Sequence, residues 1–312
     1  MTNEFLYIII ITVTHIDKYN FIMEEHIMKK ILSLMLAVLM LVGCGAAFTS
    51  CSKKETIKIG VQSGTTGECF LKGDADWGFD GYENVETKSY NNGALAVKDL
   101  LAGKIDYVVI DAAVAKSLVA SNKGTKVIDY ALTREDFGIG VDKNQMDLLN
   151  SINTILEENQ DEIAAIYAKY ADVNDDNSAE WTGTTVTSAE YDASRNQLVV
   201  ATNAAFAPYE FKVGDAYAGI DMEMAQLIAT ELGMELVIVD MDFEAVVSSV
   251  GKNGIDVAIS GLTINPARRK SVNFTDPYER GSYQVIIARS DDKTFDDCKS
   301  AKDVLAILDK YK

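Results

Sequence analysis

Histidine is almost absent from this chain of 312 residues. Its two histidines, His15 and His26, both precede a stretch that has the features of a cleaved export signal. The mature protein is therefore expected to contain none. That expectation excludes a Ser-His catalytic pair, a histidine general base and a histidine metal site.

Cysteine is scarce as well, with four residues in the whole chain. Cys44 and Cys51 follow the apolar part of the export signal, and the other two are Cys69 and Cys298. This spacing contains no CxxC framework, so the sequence predicts no zinc site. The sequence leaves open whether Cys69 and Cys298 form a disulfide.

Basic residues are outnumbered, since 29 Lys and Arg stand against 47 Asp and Glu, for a formal net charge of −18. Nucleic-acid binding depends on Lys and Arg that neutralise phosphates, so this balance argues against a nucleic-acid partner. We interpret the acidity as a solvated surface. Because 48% of the residues are hydrophobic and 24% are charged, the length predicts two packed globular lobes and not a disordered chain.

Residues 28–43, MKKILSLMLAVLMLVG, predict a secretory signal peptide with a positive start, an apolar centre and a small-residue end. The apolar centre is shorter than the roughly 20 residues of a membrane span. The sequence LVGC resembles a bacterial lipobox, which makes Cys44 the predicted lipidation site, with Cys51 as the second candidate, and residues 44–56 a tether. We therefore expect an extracytoplasmic protein with a lipid anchor in the cell membrane, at the cell surface or in the periplasm.

Residues 1–27 precede a Met-Lys-Lys sequence that makes a better start. We interpret them as upstream sequence that is not part of the native protein. The alternative is an extra membrane anchor that uses residues 5–13.

Strand-like and helix-like runs alternate along the rest of the chain, as in IKIGVQ, GALAVKDLLAG and IDYVVID. Such alternation predicts an α/β fold with mostly parallel sheets flanked by helices. Over residues 172–196 the periodicity is lost and Asp, Asn, Ser, Thr and Gly dominate, which predicts a linker. A second alternating block begins at QLVVATNAAFAPYEF.

The block after the linker resembles the first lobe of the bacterial extracellular solute-binding proteins of family 3, the amino-acid receptors of ABC importers. The matching sequences include ATNAAFAPYEF, YAGIDMEMAQLIATELG and IDVAISGLTINPARRKSVNFTDPY. The block before the linker resembles the second lobe of the same family, through IGVQSGTTGE, LLAGKIDYVVID, LTREDFGIGVDK and LLNSINTILEE. The resemblance implies a two-lobed periplasmic-binding-protein-like fold of type II.

The order of the lobes is reversed relative to that family, so we predict a circularly permuted chain. The alternative is that the two halves come from neighbouring genes or a misassembled locus. The predicted parts are the family's second lobe, 57–142, completed by 291–312; helices that pack on the first lobe, 143–171; the linker, 172–196; and the first lobe, 197–290.

The turn QSGTTG, which follows the first strand-like run, was compared with three kinds of functional turn. A Walker phosphate loop needs a Lys after its last Gly, and no Lys follows Gly67. A nucleophile elbow needs Gly-x-Ser-x-Gly, whereas Ser63 lies in Gln-Ser-Gly and has no histidine partner. An anion site at a helix N-terminus remains, with a plain strand-to-helix connection as the alternative.

In the resembled family, that anion is the α-carboxylate of an amino acid, and the resemblance implies the residues that hold it. Arg268 is implied to pair with both carboxylate oxygens through its planar fork. Thr66 and Thr263 are implied to donate to the carboxylate, and the Gly261 carbonyl to accept from the α-ammonium. Asp111 is implied to pair with that ammonium, and a helix cap is its alternative role.

The resemblance also implies contacts to the ligand's side chain from Gln62, Phe206, Phe243 and Asn203. Each Phe has an ordinary place in an apolar core as its alternative role. Family members often carry Asp where this chain has Asn203, so a cationic side chain has no obvious acidic partner there. Arg269 is expected to be a surface residue.

The implied function is reversible capture of a free amino acid, with no cofactor or metal. The two lobes close over the ligand, with YQVIIAR and FGIGV as hinge strands, and the closed monomer docks on a membrane permease of an ABC importer. One alternative is an enzyme similar to cyclohexadienyl dehydratase, which would need a buried acid besides Asp111, and the sequence offers no second candidate. Another is a ligand-sensing module of a receptor.

Overall fold

The computed structural model describes residues 56–173, 178 and 180–312. The predicted signal peptide, the candidate lipidation sites Cys44 and Cys51, residues 1–27 and nearly all of the tether lie outside the described residues. The described residues belong to one compact unit. None of their helices combines the length and the apolar character that a membrane crossing requires.

A five-stranded sheet is built mainly from the first half of the chain, and with its flanking helices we call it the leading lobe. Its strands are Ile57–Gln62 (β1), Val85–Tyr90 (β2), Tyr107–Asp111 (β3), Thr125–Ile128 (β4) and Gln284–Arg289 (β15). They lie in the order β2-β1-β3-β15-β4. Strand β1 is parallel to β2 and β3, whereas β15 is antiparallel to both of its neighbours.

A second five-stranded sheet is built mainly from the other half, and with its helices we call it the trailing lobe. Its strands are Gly140–Asp142 (β6), Gln197–Thr202 (β7), Glu235–Asp240 (β11), Val257–Ala258 (β12) and Val272–Phe274 (β13). They lie in the order β11-β7-β12-β6-β13. Strand β7 is parallel to β11 and β12, and β6 is antiparallel to both of its neighbours. Both sheets therefore have the same order and the same position for the antiparallel strand.

Helices cover the sheets, as expected for parallel strands that are buried on both faces. All residues of β3 and β7 are buried. The helices are Thr66–Lys72 (α1), Gly93–Leu101 (α2), Ala112–Ser121 (α3), Met146–Glu158 (α4), Gln160–Tyr170 (α5), Ile220–Glu231 (α6), Phe243–Ser249 (α7) and Ala301–Leu308 (α8). Two of these helices begin with a polar cap. The Asn92 side chain accepts from the Leu95 amide at the start of α2, and the Ser300 side chain accepts from the Asp303 amide at the start of α8. The predicted α/β class is confirmed.

Short strands complete the lobes. They are Glu135–Phe137 (β5), which pairs with Glu279–Ser282 (β14), and the meander of Ala205–Phe206 (β8), Glu210–Val213 (β9) and Ala216–Ala218 (β10).

Each lobe receives its antiparallel strand from the other half of the chain. Strand β6, which the sequence analysis placed within 57–142, pairs in the trailing lobe, and β15, placed within 197–290, pairs in the leading lobe. The predicted boundaries therefore shift by one strand each. The reason is that a crossing strand satisfies its backbone hydrogen bonds in the sheet that it enters, and its local pattern does not say which sheet that is.

The later part of the predicted linker is attached to the trailing lobe. Val186 is buried and exchanges two backbone hydrogen bonds with Tyr217, of 2.7 and 2.9 Å. The Ala189 amide donates to the Leu236 carbonyl at 2.8 Å. This part of the predicted linker, 172–196, is therefore held against the trailing lobe, because pairing with sheet edges gives order to a sequence that lacks periodicity of its own.

The last residues of the chain lie beside the start of β1. The Asn84 amide donates to the Tyr311 carbonyl at 2.8 Å, and the Asn84 carbonyl accepts from the Ile57 amide at 3.3 Å. Residue 84 therefore connects the beginning of the leading lobe's first strand to the end of the described chain.

Candidate functional site

Two hydroxyl groups, one from each lobe, meet between the lobes. Thr66 lies in the first turn of α1, and Thr263 lies in the loop after β12. Their Oγ1 atoms are 3.0 Å apart. Both donate to the same oxygen of Glu135, Oε2, at 2.7 and 2.6 Å. Thr66 and Thr263 thus lie together, and their partner is a carboxylate that the chain itself supplies.

Glu135 is the main residue that the sequence analysis missed. It is buried at the start of β5, and its second oxygen accepts from the Thr133 hydroxyl at 2.6 Å. Three hydroxyl donors, those of Thr66, Thr263 and Thr133, thus surround the buried Glu135 side chain. The segment LTREDFGIGVDK carried the family resemblance, but its Glu gave no local sign of pointing into the cleft.

Arg268 is buried in the same region, in a short 3-10 helix before β13. Its Nη1 donates to the Thr263 carbonyl and its Nη2 to the Gly64 carbonyl, each at 3.1 Å. The guanidinium lies over the rings of Trp77 and Phe243, 5.1 and 5.3 Å from their centroids. Within the described part of the chain it has no salt-bridge partner, and burial lowers its pKa to about 10 while the charge of Glu135 opposes that shift.

Trp77 was also missed by the sequence analysis. It lies in a loop of the leading lobe, whereas Arg268 belongs to the trailing lobe. A cation over an aromatic face is stabilised by the ring's quadrupole, and Trp is the most effective ring. The motif DADWGFDG, with its aromatic residue in a polar loop, was the only available sequence signal.

Asp111 ends β3 and is 5% exposed. It occupies the position before the first turn of α3 but makes no side-chain cap hydrogen bond, so the structure does not support the helix-cap alternative. Its Oδ1 has no hydrogen-bond partner among the described residues. Burial, and then the negative charge of Glu135, raise the pKa of Asp111 well above its usual range. Both causes favour the protonated form of the Asp111 side chain.

Gln284, the cross-strand neighbour of Asp111, is a further polar residue here that the sequence analysis missed. It is 1% exposed, and neither its Nε2 nor its Oε1 has a hydrogen-bond partner among the described residues. Buried polar atoms without partners are costly in a folded protein. This unmet hydrogen-bonding capacity lies next to the unmet capacity of Asp111.

Gln62 and Asn203 bridge the lobes. The Gln62 amide donates to Asn203 Oδ1 at 3.1 Å, and the Asn203 amide donates to the Met241 carbonyl at 2.8 Å. Gln62 Oε1 has no partner among the described residues. Of these two predicted ligand contacts, Gln62 keeps an oxygen without a partner, whereas both polar atoms of the Asn203 side chain have protein partners.

The aromatic predictions separate into two environments. Phe206 is buried and stacks on Tyr209, with 5.8 Å between ring centroids. A Cβ at Gly261, whose φ is +51°, would lie only 3.1 Å from the Phe206 ring, so this backbone position suits glycine. Phe243 is half-buried and contacts the Arg268 guanidinium. Phe206 is thus a core residue that shapes the Gly261 loop, and Phe243 faces the charged site.

The cleft between the lobes is closed in this structure. Besides the contacts above, Lys270 of the trailing lobe pairs with Asp76 of the leading lobe at 2.5 Å. Gly64 approaches Glu244 so closely that a Cβ there would lie 3.1 Å from Glu244 Cγ. The turn after β1 and the loop after α1 are thereby held against the trailing lobe.

The two cysteines of the described residues, the candidate metal ligands and the neighbouring groove are further features that could carry chemistry of their own. Cys69 and Cys298 are free thiols, so no disulfide joins them, and burial raises the pKa of Cys69 to about 11. No group of His, Cys, Asp and Glu suited to a metal ion occurs in the part of the chain that the structure describes. A groove of about 540 Å³ between α3 and α5 is lined by Tyr167, Tyr209 and Glu279 and contains none of the predicted site residues.

Comparison with known proteins gives a family match. The sequence profile of the bacterial extracellular solute-binding proteins, family 3, matches residues 198–311. The arginine-binding extracellular protein ArtP of Bacillus subtilis is 32% identical over 95 residues, which are 30% of this chain and 37% of that protein. Cyclohexadienyl dehydratase of Pseudomonas aeruginosa is 32% identical over 99 residues, 31% of this chain and 37% of that enzyme. The matches thus span less than half the length of these relatives.

Among solved structures, the arginine-bound form of domain 1 from TmArgBP is 34% identical to this chain, with a TM-score of 0.27. That match covers 39% of this chain and 99% of the domain.

Proposed function

We propose, on the premise that this chain belongs through residues 198–311 to the bacterial extracellular solute-binding proteins of family 3, that it captures a free α-amino acid between its two lobes. The observation that carries this proposal is a pair of buried groups of opposite type, Arg268 and Asp111, each without an ion partner among the described residues. An α-amino acid brings a carboxylate for the first and an ammonium for the second. A zwitterion would therefore supply both missing partners at once.

The hydroxyls of Thr66 and Thr263 bind the carboxylate of Glu135, which supports a carboxylate ligand for this region. The same hydrogen bonds change the role expected of the two threonines. A hydroxyl has one hydrogen to donate, and those of Thr66 and Thr263 are both directed to Glu135. While Glu135 stays there, the ligand carboxylate depends on Arg268. The Gly261 carbonyl, Gln62, Asn203 and Phe243 border the remaining part of the proposed site.

The capture mechanism is closure of the lobes around the hinge strands β6 and β15. The contacts of a bound zwitterion exist only when Asp111 of the leading lobe and Arg268 of the trailing lobe are brought together, so the ligand favours the closed state. We propose that the closed form delivers the amino acid to the permease of an ABC importer, and that a lipid on Cys44 holds the protein at the membrane.

Circular permutation belongs to the same proposal. The two sheets have one strand order, and each receives its antiparallel strand from the other half. The start of β1 and the end of the described chain both contact residue 84. A chain of the usual lobe order, cut near that point and joined through residues 172–196, would have this organisation.

An enzyme is the second candidate, and Glu135 favours it. The sequence analysis found no buried acid besides Asp111, whereas Glu135 lies 5% exposed between Thr66 and Thr263. A relative that is 32% identical is a cyclohexadienyl dehydratase. Incubation of the purified protein with prephenate or arogenate, followed by detection of an aromatic product, tests this candidate. If the wild type forms the product and Glu135→Gln does not, the protein is an enzyme and the proposal of amino-acid capture is wrong.

The direct test of amino-acid capture is a thermal-shift screen of the mature protein against the twenty amino acids. A ligand that binds the folded state raises the melting temperature, and the increase grows with the logarithm of the ratio of its concentration to its dissociation constant. Each hit is repeated with its des-amino and carboxamide analogues, and both should bind less tightly. A hit whose carboxamide binds equally well would contradict the role of Arg268, and a screen without hits would contradict capture of these ligands.

A further inference from the structure

Two carboxyl side chains behind the candidate site are completely buried. Glu210, at the start of β9, and Asp221, in the first turn of α6, are each 0% exposed. Neither has a cationic partner within the described residues. Two ionised carboxylates in contact would be strongly unfavourable in a buried place without a cation, so the buried environment favours a proton on one of the two acids.

Burial raises the pKa of Asp221 to about 7, and the hydrogen bonds that it accepts oppose this shift, so Asp221 is the more readily ionised member of the pair. Its Oδ2 accepts from the Gly261 amide at 2.7 Å and from the Tyr278 hydroxyl at 3.0 Å. Hydrogen bonds to a carboxylate favour its charged form. Its other oxygen, Oδ1, has no other partner among the described residues.

The hydrogen bonds to Glu210 leave one oxygen in need of a proton. Its Oε1 accepts from the Ser260 hydroxyl at 2.6 Å, and Oε2 has no other partner among the described residues. Glu210 Oε2 and Asp221 Oδ1 are thus both buried without a donor, and each carboxyl group shifts the pKa of the other. One proton between them satisfies both remaining oxygens.

We propose that Glu210 is a protonated carboxylic acid at neutral pH, that it donates its proton to ionised Asp221, and that this pair positions the Ser260–Gly261 loop of the candidate site. Glu210 is thus a positioning residue and the pair is a proton-binding site. Ser260 extends this hydrogen-bond network, because its Oγ accepts from the backbone amide of Asn203 at 3.1 Å and donates to Glu210. The network runs unbroken from Asn203 to Gly261.

The surroundings favour the neutral acid. The titratable groups that act on the pair are Tyr278, Glu279 and Asp111, and none of them supplies a positive charge. Burial, and then the charge of Asp221, raise the pKa of Glu210 well above its usual range. Only the hydrogen bond from Ser260 acts against that shift.

Infrared spectroscopy of the ligand-free protein at pH 7 tests the proton directly. The carbonyl stretch of a protonated carboxylic acid is distinct from the bands of a carboxylate, and the wild type minus Glu210→Gln difference spectrum should contain one such band. Asp221→Asn should remove the same band, because an amide that donates to Glu210 lets this acid ionise. Glu231→Gln, an exposed residue at the end of α6, is the control and should remove no acid band.

Unfolding as a function of pH gives a second, independent readout. A group with a raised pKa in the folded state stabilises the protein fully below its unfolded-state pKa, and that stability is lost as the pH rises through the folded-state pKa. Above about pH 4.5 the unfolding equilibrium of wild type should therefore shift up to tenfold per pH unit toward the unfolded state relative to Glu210→Gln. The contribution of Asp111 is present in both proteins and cancels in the comparison.

The effect on ligand affinity rests on the proposed function, whereas the infrared and unfolding experiments do not. For any amino acid found by the thermal-shift screen, Glu210→Ala should bind at least about tenfold more weakly than Glu210→Gln, because Gln can accept from Ser260 and donate to Asp221. A difference spectrum without an acid band, or pH profiles that coincide for wild type and Glu210→Gln, would overturn the proposal even if amino-acid binding is established.

Discussion

The two lobes share one strand order but differ in the charge that they bring to the cleft. In the leading lobe the third parallel strand ends in Asp111, a buried acid. In the trailing lobe the matching strand, β12, is followed by uncharged Ser260 and Gly261, and the cation Arg268 comes from a later loop. The same topology thus supports opposite chemistry. Because each lobe carries one of the two charges, a zwitterion can satisfy both only when the cleft is closed.

Removal of the trailing lobe's cation should have the largest effect. Loss of one partner from a buried charge pair costs roughly 2 to 5 kcal/mol, which is about a 30-fold loss of affinity or more. Arg268→Ala should therefore abolish or severely weaken amino-acid binding in calorimetry while the fold persists in circular dichroism.

Arg269→Ala is the matched control for that experiment. Arg269 is exposed and lies over the Phe274 ring at 5.8 Å, away from Asp111. Its affinity should match wild type. Equal affinity of Arg268→Ala and Arg269→Ala would remove the ligand carboxylate from this site.

Removal of the leading lobe's acid should have the next largest effect. A hydrogen bond to a charged group contributes about 1.5 to 3 kcal/mol, so Asp111→Asn should weaken binding roughly 10- to 100-fold. The des-amino analogue should lose much less affinity than the parent amino acid, because it has no ammonium to pair. Asp297→Asn, at an exposed position, serves as the control. An equal loss for both ligands would assign Asp111 a structural role only.

The acid of the leading lobe should also make binding depend on pH. Burial raises the pKa of Asp111 in the ligand-free protein, and the ammonium of a bound ligand should lower that pKa again. Binding should therefore release a proton, and affinity should rise with pH by up to tenfold per unit between the two pKa values. Calorimetry in two buffers with different ionisation enthalpies measures the release. In Asp111→Asn the release should be absent, and its persistence there would point to another group.

The hydroxyls around Glu135 allow a finer comparison within the site. Thr263→Val and Thr133→Val each remove one donor from this carboxylate, so each should destabilise the protein by about 1.5 to 3 kcal/mol in chemical denaturation. Thr263 also contacts Thr66 across the cleft, whereas Thr133 does not. Only Thr263→Val should therefore weaken ligand binding as well. An equal change in affinity for both variants would show that Glu135 alone transmits the effect.

The exposed ion pair between the lobes, Lys270 and Asp76, should have the smallest effect on ligand affinity. Lys270 and Asp76 are both more than half exposed, and exposed ion pairs contribute at most about 1 kcal/mol. Lys270→Ala should weaken binding less than about fivefold, and added salt should shrink the difference between variant and wild type. Lys252→Ala, whose side chain contacts only its own lobe, is the control. A loss as large as that of Arg268→Ala would mean that closure depends on the surface and not on the buried charges.

Much of the architecture could be predicted because it is encoded locally. Alternating strand-like and helix-like runs predicted the α/β class, and the motifs around Arg268 predicted the family that the profile match confirms. Thr66 and Thr263 were predicted as site residues from the two blocks on either side of residues 172–196, and their Oγ1 atoms lie 3.0 Å apart. The boundaries were less accurate, since β6 and β15 have ordinary strand patterns that do not reveal which sheet they enter.

The amino-acid sequence by itself determined which residue types line the cleft, because strand ends and the turns after them are set by local pattern. Only the tertiary structure decided their partners. It placed Glu135 against both threonines, Trp77 over Arg268, and left Asp111 without a counter-charge. The physical reason is that hydrogen bonding and desolvation of a buried group depend on what chain folding brings next to it, and those neighbours lie far away in the sequence.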